Sequence, residues 1–289
     1  MKVLVIGGTG TVGSQTVAQL VKKGADVRVM TSKEENLQKL PDGVEGVVGN
    51  LHDEDSLNKV FDGVDRVFII TPVSQTETEE GLAVVNAARK AEVKRIVYMS
   101  VHRLEDIPEA PHFSGKIPIE NAIKSAGIEY TILRPNNFFQ NDYWFQQPIL
   151  EYGIYPQPFG NTGINRVDVV DIAEAATNAL LEDGFTGKTY SLVGPDLNTA
   201  ENTAATFSKY LGKEIKYSGD DLEAWGVSAK QMLPEWMVDD FKKMYKHFQD
   251  KGLIATDEDH RQTKEILHRE PHSFDSFAKN VAAQWKKGS

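Results

Sequence analysis

The sequence contains no cysteine, which excludes disulfides and thiolate metal sites. It also lacks a basic excess: 32 Lys and Arg against 42 Asp and Glu give a net charge of −10, which argues against nucleic acid or an anionic membrane as direct partners. The first apolar run, within "MKVLVIGG", has about five residues, too few for a signal-peptide core. No run approaches the roughly 18 apolar residues of a membrane span. We therefore expect a soluble, cytoplasmic protein.

The first 135 residues alternate short Val/Ile-rich runs with helix-like stretches. Apolar residues are continuous within each run, which is typical of strands buried on both faces of a parallel sheet. The strand-like runs are 2–6, 26–30, 44–48, 65–70, 94–100 and 128–133; helices are expected over 11–23, 53–61, 76–91 and 115–126. This alternation predicts an α/β fold, a Rossmann-type doubly wound parallel sheet.

The pattern changes after Arg134. Residues 134–163 are rich in aromatics, Pro and Asn and have no clear period. One more regular unit follows, a helix over 167–183 and a strand over 188–194, and the remainder is mostly helical. We predict a Rossmann domain of 1–135, to which 164–194 return. A smaller, mainly helical substrate or partner domain is formed by 136–163 and 195–289.

The segment "VLVIGGTGTVGSQTVAQL" carries the strongest motif. Residues 8–13 fit G-x-G-x-x-G between a strand-like and a helix-like run, the context of a dinucleotide-binding loop. Glycines there allow a sharp turn, approach of the backbone to a pyrophosphate, and close packing of the helix on the sheet. Backbone amides at the helix start then face the phosphate oxygens. The predicted contacts are Gly7, Thr9, Gly10, Thr11, Val12 and Gly13; the alternative is a glycine-rich turn without a ligand.

The end of the second strand, "VRVMTSKEE", indicates which cofactor is bound. A carboxylate there binds a ribose 2′-hydroxyl, whereas a basic side chain suits a 2′-phosphate. Thr31, Ser32 and Lys33 supply two hydroxyls and a cation, while Glu34 and Glu35 are expected to begin the next helix, where acids are favourable. The pattern favours NADP(H) over NAD(H), with Ser32 and Lys33 as contacts.

Topology adds further cofactor contacts, because ligands of open parallel sheets lie at the carboxyl ends of the strands. After the third strand, Asn50 is placed to bond the adenine and Leu51 to cover it. A turn followed by a helix cap explains this segment equally well. The ends of the fourth, fifth and sixth strands contribute Thr71, Pro72, Ser100 and Pro135.

Two polar pairs have structural interpretations. His268 and His272 are four residues apart, but Pro271 interrupts any helix between them, so we expect no metal site. Asp168 and Asp171 stand at a predicted helix start, and we interpret them as caps rather than as a general acid/base pair.

Five segments, in this order, resemble the NmrA-like branch of the atypical short-chain dehydrogenase/reductases: "GGTGTVG", "GNLHDEDSLNKVFDGVDRVFIITP", "IVYMSV", "GKIPIENAIKSAGIEYTILRPNNFFQN" and "VDVVDIAEAA". The resemblance covers nearly the whole chain. It implies a Rossmann domain, a small C-terminal substrate domain and a preference for NADP(H). Members of this branch include quinone and dye reductases, relatives of isoflavone-type reductases, and non-enzymatic NADP sensors that regulate transcription factors.

Within that resemblance, Lys116 matches a lysine that such reductases place near the nicotinamide ribose. Ser32 stands where many members have Arg, with Lys33 as the alternative cation, and Asn50 stands where Asp is common. The Tyr of the wider superfamily, four residues before the lysine, is replaced by His112. A lysine there can bond ribose, stabilise negative charge and relay a proton, and an imidazole can donate one. Lys116 and His112 are the predicted catalytic residues; a solvated lysine and a surface histidine are the alternatives.

Aromatic and Asn residues follow the sixth strand and predict a pocket for a flat, apolar substrate, with packing between domains as the alternative. The predicted contacts are Asn137, Phe138, Tyr143 and Trp144. We predict an NADPH-dependent oxidoreductase that reduces a small conjugated acceptor (a quinone, enone or dye) by hydride transfer. Without the Tyr, we expect reduction of easy acceptors rather than reversible alcohol oxidation. The alternative is a non-catalytic NADP(H) sensor that acts through a partner protein, and a homodimer remains open.

Overall fold

A computed structural model describes residues 1–288. Its main sheet consists of seven parallel strands: β1 Lys2–Ile6, β2 Asp26–Thr31, β3 Glu45–Val48, β4 Arg66–Ile69, β5 Arg95–Met99, β6 Glu129–Pro135 and β8 Lys188–Leu192. Their order is β3-β2-β1-β4-β5-β6-β8. The order reverses direction beside β1, so the topological switch point lies between β1 and β4. The predicted doubly wound α/β fold is confirmed.

The helices cover both faces of this sheet and form most of the C-terminal part. They are α1 Thr11–Lys22, α2 Glu54–Val60, α3 Glu77–Lys90, α4 Pro111–Ser114, α5 Lys116–Ser125, α6 Val169–Leu181, α7 Ala200–Leu211, α8 Leu222–Ala229, α9 Glu235–Lys251, α10 Asp257–Leu267 and α11 Phe274–Gly288. A short 3-10 helix, Glu34–Lys39, follows β2, as the acidic pair there predicted. Within residues 1–288, none of the helices combines the length and the hydrophobicity needed to cross a lipid bilayer.

The two acids at the start of α6 have different roles. Asp168 accepts the Val170 N–H at 2.9 Å and is the predicted cap. Asp171 is not a cap, which corrects the prediction. Its carboxylate accepts the backbone N–H of His272 at 2.7 Å and lies 2.7 Å from Arg269, so it ties α6 to the segment before α11. Burial raises the pKa of Asp171, against the bonds from His272 and Arg269.

Three apolar clusters make up the core. One lies between the sheet and α1 and α6, and a second lies on the opposite face, against α2, α3 and α5. The third cluster contains apolar residues from 104–113, from 139–164 and from most of the chain after residue 200. That distribution supports the predicted division into two domains, which stays a prediction. Helix α10 is the exception, since Ile266 and Leu267 join the first cluster. Ser289, the last residue of the predicted second domain, lies outside the described residues.

The segment after β6 is organised by a buried ion pair. Arg166 and Asp142 are both fully buried, 2.9 Å apart, and the Tyr155 hydroxyl donates to the same carboxylate at 2.8 Å. Tyr155 belongs to a small parallel pair of strands, β7 Ile154–Tyr155 and β9 Lys216–Tyr217. Burial raises the pKa of Asp142, and Arg166 counteracts this. The irregular aromatic stretch therefore includes packing between the two parts of the chain, which was one of its two interpretations.

Candidate functional site

The glycine loop joins β1 to α1 in a geometry that only glycine permits at two positions. Gly7 has a φ of +75°, in the left-handed region, directly after β1. A Cβ on Gly13 would lie 2.1 Å from the Gly7 carbonyl oxygen, so any side chain would push α1 away from the loop. The Gly10 N–H donates to the same oxygen at 3.0 Å and closes the turn. The first turn of α1 is thereby held close against the end of β1.

The start of α1 is built to receive an anion. Among the described residues, no side chain caps this N-terminus, because Gly10 occupies the capping position. The first amides of a helix have no partner within the helix, and the helix dipole places positive charge at them. Thr11 is exposed and Val12 is buried beneath it. The loop therefore fits the pyrophosphate of a dinucleotide, and the predicted contacts with one stay a prediction.

The residues after β2 leave polar groups open to a ribose. Thr31 is buried, and its hydroxyl accepts the Lys33 N–H and the Asn36 amide, each at 3.3 Å. Ser32 is exposed, and the Lys33 side chain extends into solvent with Nζ 4.0 Å from the Glu35 carboxylate. The structure places a hydroxyl and a cation at this edge.

Asn50 and Leu51 form a turn before α2. The Asn50 side chain accepts the His52 N–H at 3.0 Å, and the helix cap itself is Asp53, which accepts the Ser56 N–H at 3.1 Å. The turn-and-cap interpretation therefore describes the contacts that are present. Asn50 is exposed and Leu51 is half-buried, and their contact with adenine stays a prediction.

Lys116 lies in a buried polar cluster at the carboxyl end of β4. Its ammonium contacts the Glu77 carboxylate and lies 3.4 Å from the Thr71 hydroxyl, which donates to the same carboxylate at 2.6 Å. Lys116 is only 7% exposed and Glu77 only 4%. The Tyr98 ring lies beneath the ammonium, with its centroid 6.0 Å away. Lys116 is therefore a buried, paired cation rather than a solvated helix residue.

Thr71 connects this lysine to the glycine loop. Its neighbour Ile70 packs against Gly7, where a Cβ would lie 3.0 Å from the Ile70 carbonyl oxygen. The glycine loop thus contacts Ile70 and the lysine contacts Thr71, and these two neighbouring residues lie at the switch point between β1 and β4. Pro72 continues from there and is exposed.

His112 faces the C-terminal part of the chain. Its Nδ1 lies 2.9 Å from Asp240 Oδ2, on α9, and its backbone N–H donates to that oxygen at 3.1 Å. Its ring also meets Phe113 and Phe241 edge-on, at 4.7 and 5.3 Å. These contacts account for its burial through packing, and proton donation by His112 stays a prediction.

The fifth and sixth strands end in a second polar network. Ser100 is buried and donates to Glu120 at 2.7 Å, and Glu120 also accepts two bonds from Arg134. Burial acts to raise the pKa of Glu120, but the bonds from Arg134 and Ser100 hold it below its usual value. Pro135 is buried at the end of β6. Ser100 is thus engaged within the protein, and its contact with a cofactor stays a prediction.

The four predicted substrate residues lie at different depths. Asn137 and Phe138 are half-buried beside β6, and the Asn137 Oδ1 is a buried acceptor without a partner among residues 1–288. Tyr143 and Trp144 are 44% and 65% exposed. The structure therefore keeps Asn137 and Phe138 near the strand end and places the two large aromatics at the surface.

A family model described as the NmrA-like family matches residues 1–278. The chain belongs to the NmrA-like family. Among its relatives, a (4-alkanoyl-5-oxo-2,5-dihydrofuran-3-yl)methyl phosphate reductase of Streptomyces griseus is 31% identical over 236 residues, 80% of this chain and 82% of that protein. An NAD(P)H azoreductase of Xenophilus azovorans is 29% identical over 247 residues, 84% of this chain and 86% of that protein.

A solved structure shows the same architecture as this NmrA-like chain. The NADPH-dependent quinone oxidoreductase QOR2 of Escherichia coli, complexed with NADPH, aligns with a TM-score of 0.86 and 22% identity, over 96% of this chain and 99% of that one. At this identity the likeness shows the fold alone. The sequence similarities, by contrast, support a nicotinamide-dependent reductase in the broad sense.

Sequence reasoning about this NmrA-like protein missed Glu77. Its position at the start of α3 is explained by the preference for acids at helix N-termini, so nothing in the local pattern separates it from Glu79 and Glu80. Only the packing of α3 against α5 places it on Lys116. Among residues 1–288, no group of three or more His, Asp or Glu has the arrangement of a metal site.

Proposed function

We propose that the chain is an NADPH-dependent reductase that delivers hydride to a small conjugated acceptor such as a quinone, an enone or a dye. One observation carries the proposal: the phosphate-binding loop and the buried Lys116 cluster are joined through Ile70 and Thr71. A cofactor whose pyrophosphate lies on the loop extends along this edge of the sheet. Its nicotinamide half is then within reach of Lys116.

The residues present fit a dinucleotide. Gly13 lets α1 pack directly against the loop, because a Cβ there would lie 2.1 Å from the Gly7 carbonyl oxygen, and α1 begins without a side-chain cap within the described chain. Ser32 and Lys33 stand where the adenosine ribose is expected, and the second strand ends without a carboxylate. The preference for NADP(H) over NAD(H) rests on that pair. Lys33 has Glu35 nearby, so we expect the preference to be modest.

When bound, NADPH supplies the hydride from its nicotinamide ring. The protein contributes positioning, which is worth on the order of 7–11 kcal/mol in the best cases. The Lys116 ammonium, shielded from water, donates to the ribose hydroxyls and stabilises negative charge on an acceptor oxygen. Thr71 and Glu77 fix where that ammonium lies.

Conjugated acceptors suit a site without a tyrosine four residues before the lysine. The reduced anion of a quinone is stabilised by its own ring, so it needs no strong acid close by. The His112 backbone N–H is bonded to Asp240 and its Nδ1 lies 2.9 Å from the same oxygen, which further favours acceptors that take their proton from water. The names of the curated relatives are consistent with this class, since they describe reduction of an azo compound and of an unsaturated lactone.

The experiment is a steady-state assay of reduced-nicotinamide absorbance with a panel of quinones, enones and azo dyes, using NADPH and NADH in parallel. Cofactor affinity is measured on the same sample by calorimetry. Turnover that is faster with NADPH supports the proposal. Tight NADPH binding without turnover on any acceptor would overturn it and favour a cofactor sensor that acts through a partner protein.

A further inference from the structure

A groove of about 450 Å³ lies where the segment after β5 meets the end of α9 and the start of α10. Three basic side chains line it: Arg103, His247 and Lys251. Asp106 is the one acid in the lining, and Ile254 and Ala255 add an apolar wall. A basic groove is unexpected in a protein whose net charge is −10.

His247 is the first indication of a ligand. It is 92% buried, with 8% of its surface exposed, yet within residues 1–288 its ring makes no hydrogen bond or ion pair. Neither ring nitrogen is sealed off from the surface, so the imidazole is open to a ligand in the groove. Burial and the charge of Lys251 both lower the pKa of His247, so the free ring is neutral near neutral pH.

The two other cations are also poorly compensated. Lys251 is exposed and has no carboxylate partner in the described chain, although it lies one helical turn from His247. Arg103 reaches only Asp106, at 3.3 Å, and its Nε is buried without a partner among residues 1–288. Two cations face one space with a single acid, Asp106, beside them, so the groove carries excess positive charge that an anion would neutralise.

We propose that this groove binds the phosphate group of a small organic phosphate monoester. Arg103 and Lys251, offset by Asp106, contribute one net positive charge, and His247 contributes a second when it takes up a proton. Two positive charges match a phosphate dianion, and the guanidinium matches its geometry. The organic part of the ligand lies along Ile254 and Ala255. The inference concerns binding alone and does not depend on the proposed reductase activity.

Two of the nearby carboxylates already have partners within the protein. Glu258 pairs with Arg261, and Asp259 is bonded to Thr256. The charged groups that act on His247 are Lys251, which opposes its protonation, and Asp106, Glu109 and Asp250, which favour it. A bound phosphate dianion, like these three carboxylates, favours protonation of His247. Binding is therefore accompanied by uptake of a proton at His247.

The test is calorimetric titration of the full chain with phenyl phosphate and with inorganic phosphate. The protein is first saturated with NADP⁺, so that the glycine loop cannot contribute. The variants are Arg103→Ala, Lys251→Ala and His247→Gln, and Lys246→Ala is the matched control, an exposed lysine on the same helix that pairs with Asp250. We expect roughly ten- to hundredfold weaker binding for Arg103→Ala and Lys251→Ala, and no change for Lys246→Ala.

Proton uptake distinguishes this site from unspecific attraction. Repeating the titration in buffers of different ionisation enthalpy should show uptake by the wild type and none by His247→Gln. Because Lys251 is exposed, the Lys251→Ala variant keeps the test valid if the buried His247 variant fails to fold. The proposal is overturned if the wild type binds neither probe at millimolar concentration, or if Lys251→Ala binds as tightly as the wild type.

Discussion

Asp240 Oδ2 on α9 lies 2.9 Å from His112 Nδ1 and also accepts the His112 backbone N–H at 3.1 Å. One buried oxygen of the C-terminal part thus holds the short helix α4, which leads directly into Lys116. On the other side, Thr78 of α3 donates to the Gly115 carbonyl at 2.9 Å. The turn that carries the lysine is therefore fixed from both parts of the molecule.

We expect Asp240→Ala to reduce turnover more than it reduces affinity for NADPH. The substitution leaves the part-buried His112 N–H without its acceptor, at a cost of about 1–3 kcal/mol, and loosens the turn before Lys116. Asp239→Ala, at the exposed neighbouring position, is the control. The measurement is kcat and the Kd for NADPH in both variants. An unchanged kcat in a folded Asp240→Ala variant would show that α9 does not position Lys116.

Gly13→Ala should remove cofactor binding. The added Cβ would lie 2.1 Å from the Gly7 carbonyl oxygen, so α1 must shift away from the loop and its amides lose their position. Overpacking of this kind costs about 1–3 kcal/mol of stability. Gly226→Ala is the matched control, since its Cβ would meet only ordinary contacts, at 3.4 Å or more. Calorimetry with NADPH and thermal unfolding measure both effects, and tight binding by Gly13→Ala would contradict the loop assignment.

Glu77→Gln should destabilise the protein by about 3–5 kcal/mol, because it leaves the buried Lys116 ammonium without its carboxylate. Glu79→Gln, which changes an exposed residue two positions along α3, should have little effect. Denaturant unfolding of both variants is the measurement. Equal stabilities would show that the lysine is not held by this pair.

Asp259 should make stability depend on acid pH. Burial acts to raise its pKa, but bonds from His102, Ser191 and Thr256 outweigh burial and lower it far below the usual value. The ionised group therefore stabilises the fold above the unfolded pKa of about 3.9, and this contribution is lost as the pH falls through the folded pKa. Asp259→Asn should be less stable than the wild type at neutral pH. The difference should shrink below about pH 4 in a series of unfolding curves, whereas a pH-independent difference would contradict the prediction.

Much of the fold could be predicted because continuous apolar runs and a glycine loop are local signals. The bounds of the predicted strands and helices agree with those in the structure to within about two residues. The reason is that the apolar pattern of each segment stops where its strand or helix stops. Topology placed Thr71 at the end of β4, whereas its contact with Lys116, the first residue of α5, was not predicted. The binding roles assigned to Ser32, Lys33, Asn50 and Ser100 stay predictions.

The remainder depends on contacts between distant segments. Glu77 meets Lys116 across 39 residues, and Asp240 meets His112 across 128. Arg166 and Asp142 form their buried pair inside a stretch that has no period. No spacing rule relates such partners, because they are brought together only when the C-terminal helices pack on the sheet.

The most direct test of the proposed active site is the effect of Lys116→Met on kcat/KM for NADPH-dependent reduction of a quinone. The control is Lys90→Met, which changes an exposed lysine at the end of α3 that pairs with Glu54 of α2. We predict a fall of about tenfold or more for Lys116→Met, measured on folded protein at saturating NADPH, and no change for Lys90→Met. Equal kcat/KM in the folded Lys116→Met variant and the wild type would contradict the assignment of the reductase site to this lysine.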